Sequence, residues 1–288
     1  MNPPNVNVRS LASVCLALLA LCALPTVSGQ TQGRPCVEET SPTFKVKRLA
    51  QAGQIRIGDR SLADWNVSLP TMEISVPDMT SPQWQRIRDA VPRPLFAIKV
   101  YMTWDDRYYY IAGDVLDNAV RAVPATSPYP YSGDCIEVYF AAKQMNSRLD
   151  IHDLVEGGTR GQAAFFQLEV PPVTLHDPRV HFADWRTDRA FVDQAMRLGF
   201  AASSWVEGSR WRAELRIPLE AFESQVVKAI QNGERLKVGL DYLDYSGRLA
   251  ERNEKDNWGF RPDRVFCLDP DERYVKVPAC MRSIVFEK

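Results

Sequence analysis

Two strand-patterned runs joined by a tight acidic turn, and a third run carrying a lone acid, constrain this chain most. Across residues 98–104, Ile98, Val100, Met102 and Trp104 alternate with Lys99, Tyr101 and Thr103, the period of a half-buried strand. Asp105-Asp106 supplies turn residues, and residues 108–115 return with bulky, strand-favouring side chains. In the third run Ile136, Val138 and Phe140 point one way, and Cys135, Glu137 and Tyr139 point the other. Glu137 therefore lies away from the apolar set, beside Tyr139 and shortly after Tyr129 and Tyr131. A carboxylate among aromatic rings suits a polyhydroxylated ligand, whose C–H face packs on rings while its hydroxyls donate to the acid. The plain alternative is a solvated sheet face that happens to carry a charge.

The rest of the chain repeats the strand signal. Candidate strands lie at residues 44–47, 163–170, 198–205, 211–217, 236–245, 264–268, 274–277 and 283–287. Pro218 opens one helix in which Leu219, Phe222, Val226 and Ile230 share a face, with Gly233 as its C-cap. Ser61 and Asp64 have capping-box spacing for a short helical turn, and the proline-bearing residues 70–94 read as a long irregular loop. Many strands and one short helix predict an all-β fold, an antiparallel, jelly-roll-like β-sandwich.

At 288 residues and 45% hydrophobic, the chain has material for a substantial core. A net charge of −1 leaves no basic stripe to displace counterions, which removes nucleic acid as a partner. The apolar run at residues 11–24 follows Arg9 and precedes Ser28-Gly29. It is shorter than the ~20 residues of a spanning helix, so it reads as a secretory signal cut near Gly29. The expected organisation is a signal at 1–29, a polar arm at 30–43 and one domain at 44–288, secreted or periplasmic, monomeric, with no membrane span in the mature chain.

Removing the signal leaves Cys36, Cys135, Cys267 and Cys280, an even number with no CxxC. Four cysteines allow three pairings. The simplest joins Cys267 to Cys280, close in sequence, and leaves Cys36 with Cys135.

The ordered motifs Ile57-Gly58-Asp59, Leu62-Ala63-Asp64-Trp65, Trp104-Asp105-Asp106, Tyr108-Tyr109-Tyr110, Val115-Leu116-Asp117 and Tyr131 to Phe140 share a pattern with a known family. Trp211, Glu214, Ile217-Pro218, Asp241 and Trp258 continue it. The chain resembles the carbohydrate-binding module family 9 type, within the wider DOMON-like sandwiches. The resemblance implies a secreted, non-catalytic domain that binds a mono- or oligosaccharide and serves polysaccharide degradation or uptake, often beside glycoside hydrolases. It places one clamping ring on Tyr131, the glutamate on Glu137 and the second ring on Trp258, with Asn257 and Tyr129 nearby. Tyr131 stands where the known binders have Trp, and the chain after Trp258 is longer than theirs.

Other readings stay open. Trp258 sits beside Gly259 without apolar alternation, so it is either an exposed ring or a packed one. Trp65, Trp104 and Trp211 read as core. The family often carries calcium, and Asp117 and Asp134, among Asp105, Asp106 and Asp114, offer oxygen ligands. Turn aspartates more simply bond local backbone N–H groups. Asp134 and Glu137 lie three apart in one strand, so they cannot flank a glycosidic bond. There is no GxSxG, HExxH or P-loop. A haem b electron carrier using Met102 with His176 or His181 is the competing class, and a purely structural surface module is a third.

Overall fold

The computed structural model describes residues 43–65, 70–75, 96–117, 120, 122, 133–155, 164–172, 182–183, 186–244, 264–267 and 276–288. The chain divides into two units, Met1–Pro35 and Cys36–Lys288, and all described residues belong to the second. Its strands are β1 (Phe44–Arg48), β2 (Met72–Ser75), β3 (Phe96–Trp104), β4 (Tyr108–Asp117), β5 (Cys135–Ala141), β6 (Phe165–Val170), β7 (Ala201–Glu207), β8 (Arg210–Pro218), β9 (Arg235–Asp244), β10 (Arg264–Cys267) and β11 (Arg282–Phe286). They form one 11-stranded sheet in the order β6-β5-β9-β11-β1-β3-β4-β8-β7, with β10 also on β9 and β2 also on β3.

The sheet is mixed rather than wholly antiparallel. Strand β1 pairs in parallel with β11 through Phe44, Lys45 and Val46, then in parallel with β3 through Lys47 and Arg48. It thereby joins two arms of the sheet. Their apolar faces meet in a single core, because the period-2 pattern puts Ile98, Val100, Met102 and Trp104 of β3 on the same side as Val115 of β4. The opposite arm contributes Ile136, Val138 and Phe140 of β5 and Val238, Leu240 and Tyr242 of β9. Contacts cross between the arms: Tyr109 packs edge-on to Phe286 at 5.2 Å, and Trp211 stacks on Tyr242 at 6.3 Å. Gly113 leaves room for Ile136, whose Cδ1 would stand 2.6 Å from any added Cβ.

A second apolar layer covers the outer face of β3 and β4. Ile55 and Trp65, from the loop at residues 49–65, pack on Tyr101, Tyr108, Tyr110 and Ala112. Asp105 ties this loop down by accepting from Gly53 N (2.9 Å), Arg107 N (2.7 Å), Tyr108 N (2.8 Å) and the Tyr110 hydroxyl (2.8 Å). Burial pushes its pKa up, but the four donors outweigh burial and hold it below the usual value. Gly58, at φ 101°, donates its N–H to Glu214 Oε1 at 2.7 Å.

Several expectations need correcting. The helix after Pro218 starts as a 3₁₀ turn, Leu219–Ala221, breaks where Phe222 and Glu223 turn extended, and resumes as Ser224–Asn232. The shared face is nonetheless buried, and Gly233 caps the end at φ 69°. It is not the only helix. Ile151–Leu154 (α1) and Arg189–Arg197 (α2) precede Ser224–Asn232 (α3), and α2 ends where the strand expected from residue 198 was to begin. Asp188 caps α2 by accepting from Ala190 N at 2.7 Å, while Phe191, Val192 and Ala195 are buried. Ser61 and Asp64 form no helix: Asp64 accepts from Arg56 N across the loop. Strand β2 occupies part of the stretch expected to be irregular, and Lys276 and Val277, from the strand expected at residues 274–277, lie in a turn.

Candidate functional site

The outward face of β6, β5 and β9 carries the chemistry. Pairing aligns Glu169 of β6, Glu137 of β5 and Asp241 of β9 in one row, and Gln167, Tyr139 and Gly239 in the next. All three acids are buried, with Glu137 6%, Asp241 2% and Glu169 1% exposed. The solvated face that alternation alone suggests is therefore absent here. Glu137 does lie on the side opposite Ile136 and Val138, as its phase requires.

A directed network sets the geometry. Asp150, the N-cap of α1, accepts from Arg186 Nε at 3.0 Å. Arg186 Nη1 donates to Gln167 Oε1 at 2.9 Å. That contact fixes the Gln167 amide, because its oxygen is used by a cation and its NH₂ must point the other way. Gln167 Nε2 then donates to Glu137 Oε1 at 2.9 Å and to Glu169 Oε1 at 3.3 Å. The Tyr139 hydroxyl donates to Glu137 Oε2 at 2.6 Å and stands 3.4 Å from Asp241 Oδ2. Lys276 Nζ lies 5.5 Å from the centre of the Tyr139 ring.

Electrostatics follow from this crowding. Burial, then the Glu137 charge, pushes the Asp241 pKa well up, against the pull of Lys276. Burial and the carboxyls of Asp241 and Glu137 likewise raise Tyr139. The arrangement is an acceptor-rich floor. The two carboxyls of Glu137 and Asp241 share one hydroxyl, so they do not stand on either side of a cleavable bond.

The expected site residues fare differently. Glu137 is at the centre of this floor. Tyr131, Tyr129, Trp258 and Asn257 lie outside the described residues, as do Cys36, His176 and His181. Met102 is 5% exposed in the core, and its sulfur accepts the Tyr109 hydroxyl at 2.9 Å, which occupies the atom a haem iron would need. Trp65, Trp104 and Trp211 are core residues as expected. Asp117 is buried and accepts from the Tyr242 hydroxyl at 2.9 Å, Asp134 is wholly buried, and Asp114 pairs with Arg210 and Arg212. Among the described residues no group of three or more His, Cys, Asp or Glu side chains could hold a metal ion.

The expected Cys36–Cys135 pairing needs correcting. Cys135 is a free thiol, wholly buried on the acid face. Burial and the charges of Glu169, Glu137 and Asp241 push its pKa well up, so it stays protonated. Cys280 is disulfide-bonded; the side chain of Cys267 lies outside those described.

The sequence pattern alone assigns no site role to Gln167, Glu169, Asp241, Arg186 or Lys276. The signal is present nonetheless: β6 and β9 each place an acid on the face opposite Leu168 or Leu240, in phase with Glu137 on the strand between them.

No family model matches this sequence, and no curated protein matches it. Six solved chains are similar in fold. One is a carbohydrate binding module family 9 (CBM9) from Caldicellulosiruptor kristjanssonii in complex with cellotriose. It is 13% identical at TM-score 0.49, over 85% of this chain and 94% of that one. Another is a CBM9 from the same organism in complex with glucose, 15% identical at TM-score 0.42, over 68% of this chain and 78% of that one. The chain is similar to these modules in chain path.

Proposed function

We propose that this chain is a non-catalytic carbohydrate-binding protein, a β-sandwich whose sugar lies on the outward face of β6, β5 and β9. The observation that supports it is the buried Glu137, held by Tyr139 and Gln167 in a row with two further acids. Each carboxyl oxygen has capacity for about two donors. The floor therefore offers acceptors at fixed positions, which is what a ring bearing several hydroxyls requires. In this reading Tyr131 and Trp258 supply the flanking rings, with Asn257 and Tyr129 beside them. Residues 1–29 direct export, and the bound saccharide belongs to polysaccharide breakdown or uptake. Shared use of the Tyr139 hydroxyl by Glu137 and Asp241 supports a binding role over a catalytic one.

Calorimetric titration of the purified chain with a panel of mono- and oligosaccharides tests this. Glucose and cellotriose, the ligands of the two similar structures, come first. Saturable heats for at least one sugar are expected. A flat response across the panel at millimolar concentrations refutes the proposal.

A further inference from the structure

We infer that the cleft between β1, the loop at residues 49–65 and the edge of β3 is a second ligand site, which takes an acidic saccharide unit, a hexuronate, by its carboxylate. The inference goes beyond the Glu137 reading and does not depend on it. The cleft arises because two strands share one edge of β3. β4 pairs along the whole of the other edge, β2 pairs from Met72 onward, and β1 pairs only at Lys47 and Arg48. The preceding residues, Phe44 to Val46, pair with β11 instead, so a fork opens between β1 and β2. Its floor is closed by two hydroxyls: Thr71 Oγ1 accepts from Met102 N at 2.8 Å, and Thr103 Oγ1 donates to Lys47 O at 2.7 Å. The space above is about 440 Å³ and is walled by Trp65 and Tyr101, within the ~300–1,000 Å³ of small-ligand sites.

This cleft is rich in donors that nothing in the described chain uses. The side chains of Lys47, Gln54 and Tyr101 line it, and none makes a hydrogen bond or ion pair with a described residue. Tyr101 is only 6% exposed, and a hydroxyl so buried ordinarily has a partner. Burial, then the charges of Asp114 and Glu73, push its pKa up, so it stays a donor. Those two acids are themselves engaged, Asp114 by Arg210 and Arg212, and Glu73 by Lys99. The charge balance points the same way. The described lining holds three cations, Lys45, Lys47 and Arg48, and no carboxylate. Glu287 pairs with Lys45 and Asp106 with Arg48, which leaves Lys47 unneutralised. A hexuronate answers both features: its carboxylate meets the Lys47 ammonium, and its hydroxyl oxygens accept from Tyr101 and Gln54. A neutral sugar leaves the charge unanswered, and an amino sugar is repelled by it.

The test titrates the full chain with glucuronate, glucose and acetate, the last supplying the anion without the sugar. Glucuronate should bind saturably and at least about tenfold tighter than acetate. Added salt should weaken glucuronate while leaving any glucose binding unchanged. Lys47→Gln should weaken glucuronate on the order of tenfold and Tyr101→Phe about threefold or more, each in a protein that melts cooperatively. Glu137→Gln, on the other face, should leave glucuronate affinity unchanged. No binding of glucuronate, acetate binding as tightly, or full affinity in a folded Lys47→Gln overturns the inference. Loss of glucuronate affinity in Glu137→Gln alone also overturns it, since the acid sugar would then sit on the other face. Glucuronate binding without any binding of neutral sugars refutes the Glu137 reading and leaves this one standing.

Discussion

The contact between the two arms of the sheet can be tested at a single pair, Gly113 and Ile136. A Cβ on Gly113 would come within 2.6 Å of Ile136 Cδ1, inside van der Waals contact. Both Ile136 and the strand around Gly113 are buried, so the clash has no easy outlet. Gly113→Ala should therefore destabilise by ~1–3 kcal/mol, the range for overpacking a full core. Ile136→Val removes the very methyl that would collide and by itself costs ~0.5–1.5 kcal/mol. In the double variant the methyl added at position 113 occupies the space the Ile136 Cδ1 vacates, so buried carbon is conserved and the clash is gone. The double should cost less than the sum of the singles by roughly 1 kcal/mol or more. Urea denaturation of the four proteins, with m-values checked for constancy, measures this coupling. Additivity within ~0.5 kcal/mol would show that β4 and β5 do not meet there, and the packing of the two arms would be wrong.

Glu214 is wholly buried beneath the loop at residues 49–65, and burial raises its pKa from 4.5 to about 7. Because the folded pKa is the higher, this carboxyl favours folding below pH ~4.5, and that contribution falls away as pH rises toward ~7. The full shift corresponds to at most ~3 kcal/mol; Glu214→Gln should flatten stability over that window in melts run from pH ~4 to ~8. Trp104→Ala should cost ~3–5 kcal/mol by denaturation, since the ring is 2% exposed, packs on Phe286 and donates to Glu287 O. Cys135 should resist alkylation in the folded protein and be labelled after denaturation without reductant; peptide mapping that found it in a disulfide would contradict its assignment as a free thiol.

How far the sequence is legible follows from where its periodicities are strong. Alternation locates β3, β4 and β5 to within about two residues and puts Trp104 and Val138 in the core, because a pleated strand leaves no other choice of face. The same alternation misleads at Gln167, Glu169 and Asp241. Period 2 tells which side chains share a face, but not whether another part of the chain covers it. Helix α2 escapes the pattern because its apolar stripe, Phe191, Val192 and Ala195, is short and runs directly into the strand-like residues of β7. The parallel placement of β1 is beyond local reading, since its partners β11 and β3 lie far away in sequence. The Cys36–Cys135 pairing fails for a related reason: an even count says nothing about which thiol is buried among carboxylates.

The central claim, that Glu137 is the anchoring acceptor of a saccharide site, is tested most directly by one comparison. Glucose and cellotriose are titrated against the wild-type chain and Glu137→Gln, with thermal melts in parallel. Glutamine keeps the shape but removes the charge that receives Tyr139 and the ligand hydroxyls, and a charge-assisted hydrogen bond is worth about 1.5–3 kcal/mol. Measurable binding by the wild type and a loss of roughly tenfold or more in a variant that still melts cooperatively is the predicted result. Unchanged affinity in a folded Glu137→Gln would contradict the account.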